Sequence, residues 1–356
     1  MRFLIGLWLL ILSVPSVAVP LNGLYRASVL VEDQSQTVRN AAISEALKKV
    51  VQKVSGRRSV LDNVALQAAL SNVGSYVEQF QYTVLEDGQV PYRLIVSFQK
   101  SALDTVLQQF EVPVWGKNRP EMLFWLAIDE GDKRYILSDG PTKLLLMQAA
   151  EEAGLTVTLP LLDLDDQRAI RFKDIWAGFP EQILAASQRY SVKQVMHGRL
   201  LKISKGHWRL SGSLLNIAEQ YEKVNLEGSI EKVLADFFAQ NAERLANIYA
   251  PSGLTKQTKL KLHIKGLRDL ATVVKVTDYL SSLDRVKTLT WNALTDGQLK
   301  LLLTIAGEVS VLEEIIALNN VLLPDSAVLG KPEPLATSVP LEMTPRVHES
   351  LYYRVN

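Results

Sequence analysis

Between residues 144 and 216 the apolar positions of the sequence change repeatedly from a helical period to a strand period. A helical pattern is followed by a short strand that Pro160 closes, and then by an acidic loop. A second helix precedes three further strands at about 193–203, 207–216 and 221–227. Because each helix must bury its apolar stripe against a sheet, this alternation predicts an α/β core, to which the rest of the chain is attached on both sides.

The length of 356 residues exceeds what one ordinary core requires and predicts two or three domains. We expect a mixed fold class, α+β and α/β, with three small domains in tandem after a signal peptide. The last domain has the order β-α-β-β-α-β, which suggests a ferredoxin-like split unit. The predicted boundaries are 1–18 for the signal peptide, 19–112, 121–250 and 258–324 for the domains, and 325–356 for a proline-rich, disordered tail.

The first eighteen residues have the composition of a secretory signal. Arg2 supplies a positive charge, residues 3–14 are apolar, and Pro15 precedes the small residues at 16–18. Twelve apolar residues are too few to span a bilayer, for which about twenty are needed. We therefore expect cleavage near Val19 and a periplasmic mature protein, with an uncleaved membrane anchor as the alternative.

Composition excludes several classes of protein. The chain contains no cysteine, so it has no disulfide and no thiolate metal site. Its 39 basic and 38 acidic residues leave a net charge of +1, which provides no general attraction for nucleic acid. We predict that nucleic acid is not a partner.

The first domain contains three local patterns. Residues 23–32 alternate as a strand, and a helix over 37–54 is followed by Gly56 as its cap. Ser101 and Asp104 have the spacing of a capping box, which predicts that a helix begins there. An Asp87-Gly88 pair indicates a hairpin turn between two alternating strands.

The densest carboxylates are Asp163, Asp165 and Asp166, which follow a strand end where α/β sheets tend to collect ligands. Their oxygens could hold a divalent cation, or two of them could divide into an acid and a base. The alternative is that they cap the following helix and shape a solvated loop. No cofactor and no metal ion follows from the pattern itself.

The four histidines form no pair with metal-ligand spacing, so a zinc or di-iron site has no support in the sequence. His197 lies close in sequence to Arg189 and Arg199, which together could recognise an anion. The alternative is that these are strand positions that face water, with Gly198 allowing close packing.

Lys259, Lys261, His263 and Lys265 lie two positions apart in the first strand of the third domain, so their side chains share one face. This stripe could contact phospholipid headgroups, an anionic glycan or an acidic partner. The alternative is the solvated face of an amphipathic strand. Without interleaved aromatic residues it does not match a platform for nucleic acid.

Catalytic signatures are missing from the sequence. It has no glycine-rich phosphate loop, no Gly-x-Ser-x-Gly elbow, no His-Glu-x-x-His motif and no internal repeat. The tryptophans are typical of packing, although Trp115 and Trp176 fall near predicted loops. The sequence therefore favours a protein that is not an enzyme.

Two segments carry a resemblance to known proteins: LTVTLPLLDLDD, from Leu155, and AASQRYSVKQVMHGRL, from Ala185. With the strand around Trp208, they make the chain from about Leu21 to Pro324 resemble an uncharacterised family of gammaproteobacterial cell-envelope proteins, a domain of unknown function. That resemblance implies export but no reaction and no catalytic residue. The middle domain is more weakly similar to periplasmic envelope-assembly modules, such as the N-terminal domain of the Tol-Pal translocation protein.

These observations predict a non-enzymatic periplasmic adaptor or assembly factor of the cell envelope that acts through protein contacts, with an envelope protein as its partner. One alternative is an enzyme or a protein that binds a ligand or metal at the loop Asp163 to Asp166, with Arg189 or Arg199. Another is a peripheral membrane protein.

Overall fold

The computed structural model describes residues 23–85, 91–215, 223–250, 257–295, 297–319, 321–325 and 349–356. The predicted signal peptide at 1–18 and the Asp87-Gly88 turn lie outside these residues. The described residues form ten α-helices and three separate β-sheets, which confirms the mixed α/β fold class. Within that part of the chain, no helix combines the length and the apolar character needed to cross a membrane.

The first sheet is antiparallel with the strand order β1-β3-β2, and its inner face packs on α1. Ser35 caps the start of α1 and Gly56 ends it with a φ of 70°, which confirms the predicted helix and its glycine cap. The elements are β1 (Arg26–Val31), α1 (Gln36–Ser55), α2 (Val64–Ala69), β2 (Val77–Val84), β3 (Tyr92–Phe98) and α3 (Lys100–Gln109).

The predicted capping box of α3 is wrong. The helix starts two residues earlier than expected, with Gln99 rather than Ser101 at its N-cap, and no side chain caps it. Asp104 instead accepts a hydrogen bond from Tyr25, 79 positions away, and one from Lys100. The Asp104 side chain therefore makes a tertiary contact with Tyr25 instead of capping the start of α3.

The central sheet has six strands, and its interior strand β4 is buried on both faces. Its even-numbered residues pack under α4 and α8, where Phe124 stacks on Phe237 at 5.3 Å between ring centroids. Its odd-numbered residues pack under α6 and α7 on the opposite face. The strands are β4 (Glu121–Asp129), β5 (Arg134–Ile136), β6 (Thr156–Thr158), β7 (Gln194–Ser204), β8 (His207–Leu215) and β9 (Val224–Gly228). The helices are α4 (Pro141–Glu152), α5 (Leu164–Ala169), α6 (Phe172–Ala177), α7 (Pro180–Ser187) and α8 (Ile230–Tyr249).

The third domain has the predicted β-α-β-β-α-β order, with both helices on one face of its sheet. Its elements are β10 (Gln257–Lys265), α9 (Leu270–Ser281), β11 (Val286–Thr295), β12 (Gln298–Ala306), α10 (Val309–Leu318), β13 (Leu322–Pro324) and β14 (Glu349–Val355). The strand order is β11-β12-β10-β14-β13. The sheet therefore contains one strand more than the split unit supplies.

The extra strand, β14, comes from the segment that the sequence predicts to be a disordered tail. It runs parallel to β10 and antiparallel to β13, so it separates the two strands that a ferredoxin-like unit would place side by side. Tyr353 of this strand is buried in the core. The structure thus differs from the predicted tail over its last residues, while 326–348 lie outside the described residues.

The segment 112–120, at the boundary between the first two predicted domains, packs between the domains. Trp115 is 2% exposed and Arg119 is 8% exposed. The Trp115 backbone amide donates a 2.8 Å hydrogen bond to the Val54 carbonyl of α1. The segment thus forms part of the contact between domains.

Candidate functional site

The three aspartates of the acidic loop have different partners. The Asp163 carboxylate caps α5 by accepting hydrogen bonds from the backbone amides of Asp165 and Asp166, at 3.1 and 3.0 Å. The Asp166 side chain is fully buried and accepts a hydrogen bond from the Leu162 amide at 2.8 Å. Asp165 points to solvent and lies 3.8 Å from Arg168. The loop is therefore shaped by capping.

Arg189 joins two of these carboxylates. Its Nη1 lies 2.6 Å from Asp163 Oδ1 and 2.9 Å from Asp166 Oδ1. Hydrogen bonds from Arg189 hold the pKa of Asp163 well below its usual range. Tyr190 donates a 2.5 Å hydrogen bond to Asp166. Burial of Tyr190, together with that bond, raises the pKa of Tyr190 to about 12. Because these contacts occupy the oxygens of Asp163 and Asp166, the loop offers a cation little beyond the exposed Asp165 carboxylate.

In the described part of the chain, no group of three or more histidine, aspartate or glutamate side chains is placed to hold a metal ion. The expectation that His197 faces water is wrong: the side chain is buried, and its Nε2 lies 2.8 Å from Ser213 Oγ. Burial, with a smaller effect of the Lys223 charge, lowers the pKa of His197 to about 4. Arg199 lies over the Trp176 ring at 5.9 Å. Arg189 instead joins the acidic loop, so it forms no anion site with these two residues.

The sequence did not reveal a set of buried arginines where the three domains meet, here called the arginine junction: Arg57, Arg119 and Arg285. Arg57 of the first domain donates to the Ala246 and Ala250 carbonyls at the end of α8, at 3.1 and 2.8 Å. Arg285 of the third domain donates to the Tyr249 carbonyl at 3.3 Å. Both cations therefore lie at the negative end of the same helix dipole.

Arg119, in the segment between the first two domains, binds carbonyls on either side of it. Its guanidinium donates to Lys53 of α1 at 2.7 Å, to Gly116 at 2.9 Å and to Gly154 of the central domain at 2.8 Å. It also lies 4.1 Å above the Trp115 ring. Burial lowers the pKa of Arg119, although a guanidinium stays protonated in proteins.

Aromatic packing completes the arginine junction. Trp115 stacks on Tyr249 of α8 with 6.3 Å between ring centroids. Gly56 lies so close that a Cβ there would be 2.6 Å from Ala246 Cβ and 2.8 Å from the Trp115 ring. A glycine is therefore required both for the φ of the helix cap and for the approach of α8.

A cleft of about 700 Å³ lies between the first and third domains. Tyr25 and Lys100 line one wall, Asp284 lies on the other, and Gly116 and Lys117 contribute from the linking segment. Burial raises the pKa of Asp284, an effect that the nearby Lys100 charge opposes. With carboxylate, phenol and ammonium groups beside apolar surface, the cleft is large enough for a small molecule.

The predicted basic stripe belongs to a wider surface, which we call the basic face: Lys259, Lys261, His263, Lys265, Lys300, Tyr352 and Arg354. On β12, Lys300 lies opposite His263. On β14, Tyr352 lies opposite His263 and Arg354 lies opposite Lys265. The His263 and Tyr352 rings stack at 4.8 Å. The two flanking strands thus add charge that the single strand in the sequence did not show.

The third domain also exposes apolar side chains on two elements that contact each other. We call them the β11 edge surface, and they are Trp291 and Leu294 of β11 with Leu270 and Val274 of α9. These side chains are 46%, 47%, 71% and 48% exposed, respectively. β11 ends the sheet order, so one of its backbone edges has no neighbouring strand among the described residues. Apolar surface beside an open edge is typical of protein-binding sites.

One signal for the arginine junction was present in the sequence. Trp115 and Arg119 stand in a segment whose two prolines and one glycine indicate a linker between domains. A tryptophan there is better explained by burial, which the structure shows. The carbonyls that Arg57 and Arg285 bind could not be found, because they lie at the far end of another domain's helix.

The match to known proteins covers the first domain and the segment that follows it. A family model described as a domain of unknown function (DUF8605) matches residues 18–116, a range that includes Arg57 and Trp115 of the domain contacts. No curated protein matches the chain. The first domain and the segment that follows it are therefore similar to an uncharacterised family, domain of unknown function DUF8605.

Proposed function

We propose that this chain is an exported, non-enzymatic adaptor or assembly factor of the cell envelope that acts in the periplasm through protein contacts. The observation that carries the proposal is the β11 edge surface. Large apolar side chains on the outside of a domain normally cost solubility, unless a partner covers them. The open edge beside them can add a strand of a partner by backbone hydrogen bonds.

The arginine junction supports the same function in a different way. Because Arg57, Arg119 and Arg285 bind carbonyls across domain boundaries, a partner held at the third domain has a defined position relative to the other two. An adaptor needs such a fixed relation between its binding surfaces. The buried contacts require no catalytic group to explain them.

Export is the part of the proposal that rests on the signal pattern at 1–18. Cleavage would give a mature chain that begins near Val19. Mass measurement of the protein from the periplasmic fraction tests this directly. The proposal expects the mass of a chain starting near Val19, and a protein that retains Met1 would contradict it.

A ligand-binding protein is the second candidate, and the cleft between the first and third domains favours it. The cleft volume of about 700 Å³ lies in the range of small-molecule sites. At the acidic loop, Arg189 already binds two of the carboxylates. A ligand site would therefore be sought at Asp284 and Lys100 rather than at Asp163 to Asp166.

The test is chemical crosslinking in living cells that express a tagged protein, followed by purification and identification of what is attached. The variant Trp291→Ser/Leu294→Ser is compared with Val64→Ser/Leu144→Ser, whose original side chains are 77% and 72% exposed elsewhere. The adaptor proposal expects a reproducible partner protein with wild type and the control, and its loss with the β11 variant. Recovery of the protein alone in all three cases would overturn the proposal and favour the cleft.

A further inference from the structure

The basic face lies on one side of the third sheet, over its three inner strands, and the helices of its own domain pack on the other side. Along β10 the apolar residues Leu260, Leu262 and Ile264 point to the helices and are fully buried. The alternate positions point the other way, with Lys259 and Lys261 exposed and His263 partly exposed. Because α9 and α10 both pack on the apolar side, the basic side is turned to solvent.

Three neighbouring strands contribute to this face. Residues two apart in a strand lie about 7 Å from each other, and neighbouring strands are about 5 Å apart. The cations of β10, with Lys300 of β12 and Arg354 of β14, therefore form a two-dimensional array. A chain with a net charge of only +1 has thus concentrated five permanent cations on one side of one small sheet.

Folding alone does not explain this array. Lys265 and Arg354 are directly opposed on adjacent strands, an arrangement that destabilises a sheet. Asp325 relieves part of the repulsion, with its Oδ2 3.3 Å from Lys265 Nζ. Residues that lower stability in one place commonly serve a function there.

The geometry restricts what the basic face can bind. The three strands that carry the charge, β10, β12 and β14, all lie inside the sheet, so their backbone groups are already hydrogen-bonded and cannot add a partner's strand. The His263 and Tyr352 rings stack on each other, which takes one face of each ring away from a nucleic-acid base. A flat array of cations around a partly exposed tyrosine suits a flat anionic surface instead.

We propose that the basic face docks the protein on an anionic phospholipid surface. The lysine and arginine side chains contact the headgroup phosphates, and Tyr352 lies at the level of the headgroups. This surface is distinct from the β11 edge surface, so membrane docking and protein binding can be tested independently. An adaptor that uses both would hold its partner next to a membrane.

The experiment is vesicle co-sedimentation of the mature protein. Vesicles of phosphatidylglycerol mixed with phosphatidylcholine are compared with vesicles of phosphatidylcholine alone, at 0.05 and 0.5 M salt. The proposal expects binding to the anionic vesicles only, and its loss at high salt because the charges are screened. Equal binding to both compositions, or no binding to the anionic vesicles at low salt, would overturn it.

Two variants with the same net charge distinguish binding through the basic face from an effect of the protein's total charge. Lys261→Gln/Lys300→Gln/Arg354→Gln removes three cations of the face, and Lys48→Gln/Lys173→Gln/Lys205→Gln removes three exposed lysines from the other domains. Each cation near the surface contributes about fivefold, so the first variant should bind on the order of 100-fold more weakly. The second should bind like wild type.

Equal weakening by the two variants would show general electrostatics and overturn the proposal. Thermal unfolding of both variants confirms that they remain folded. Attachment of an acidic protein or glycan through the basic face, without binding to anionic vesicles, would also overturn it. The variant Lys261→Gln/Lys300→Gln/Arg354→Gln should still crosslink to the partner of the β11 edge surface. Membrane docking and the adaptor function can therefore be contradicted independently.

Discussion

The Arg57 guanidinium lies 2.8 Å from the carbonyl oxygen of Ala250, although the two residues are 193 positions apart in the sequence. The contact crosses from the first domain to the end of α8 in the central domain. Arg285 reaches the adjacent carbonyl of Tyr249 from the third domain. All three domains therefore meet at the C-terminal end of α8. The negative end of that helix dipole stabilises the Arg57 and Arg285 cations.

Replacement of Arg57 tests how much this contact stabilises the fold. Arg57→Ala leaves buried carbonyl oxygens at the end of α8 without their donor, and each unsatisfied group costs about 1–3 kcal/mol. We expect the free energy of unfolding to fall by roughly 2 kcal/mol or more. Urea denaturation of the mature protein measures it.

The neighbouring residue provides the control. Arg58 also crosses to α8, where it lies 2.7 Å from Asp236, but its side chain is 46% exposed. Exposed ion pairs contribute about 1 kcal/mol or less, so Arg58→Ala should change stability little. If the two variants lost the same stability, the buried arginine would have no special role in joining the domains.

Gly116 gives a second test of the contact between domains. A Cβ at this position would lie 1.6 Å from Asp284 Oδ2, so Gly116→Ala must displace the Asp284 side chain or the linking segment. Overpacking of this kind costs about 1–3 kcal/mol, measured again by urea denaturation. Gly74→Ala, where no heavy atom lies within 4 Å, should be neutral. If Gly116→Ala had the same free energy of unfolding as wild type, the first and third domains would not be held this closely.

His197 predicts a dependence of stability on pH. The unfolded chain protonates this histidine near pH 6.5, whereas burial lowers its pKa to about 4 in the folded protein. The unfolded state therefore binds more protons between these values, and stability is lost as the pH falls through the window, by about 1.4 kcal/mol per unit.

The variant His197→Gln has no titrating group at this position. Urea denaturation at pH 7.5, 6.0 and 5.0 should show a smaller loss of stability in the variant than in wild type. The carboxyl of Asp163, whose pKa Arg189 holds low, affects stability only at more acidic pH. Identical pH slopes in the two proteins would show that His197 is not buried as a neutral ring.

Local patterns predicted most of the secondary structure. α1 ends at Gly56 as expected, and α8 begins after Ser229, whose side chain accepts a hydrogen bond from the Lys232 amide. The strand β14 was not predicted, because its pairing with β10 spans about ninety positions and proline-rich sequence precedes it. Local sequence encodes an element, but a strand partner that distant leaves no local trace.

In the candidate sites too, local features were predictable and contacts between distant residues were not. That Asp163 caps a helix was one of the two interpretations of the acidic loop, and its spacing was enough to suggest it. Arg189 as the second partner, 26 positions away, was not predictable from spacing. The basic stripe of β10 was visible in the sequence, whereas Lys300 and Arg354 joined it only when the sheet was formed.

The sharpest test of the proposed adaptor function is site-specific photocrosslinking in living cells. A photoreactive amino acid replaces Trp291 or Leu294 of the β11 edge surface, and in separate cells it replaces Leu144, which is 72% exposed on α4. We predict that positions 291 and 294 crosslink to the same envelope protein and that position 144 does not. No adduct at 291 and 294, or the same adducts at all three positions, would contradict the proposal.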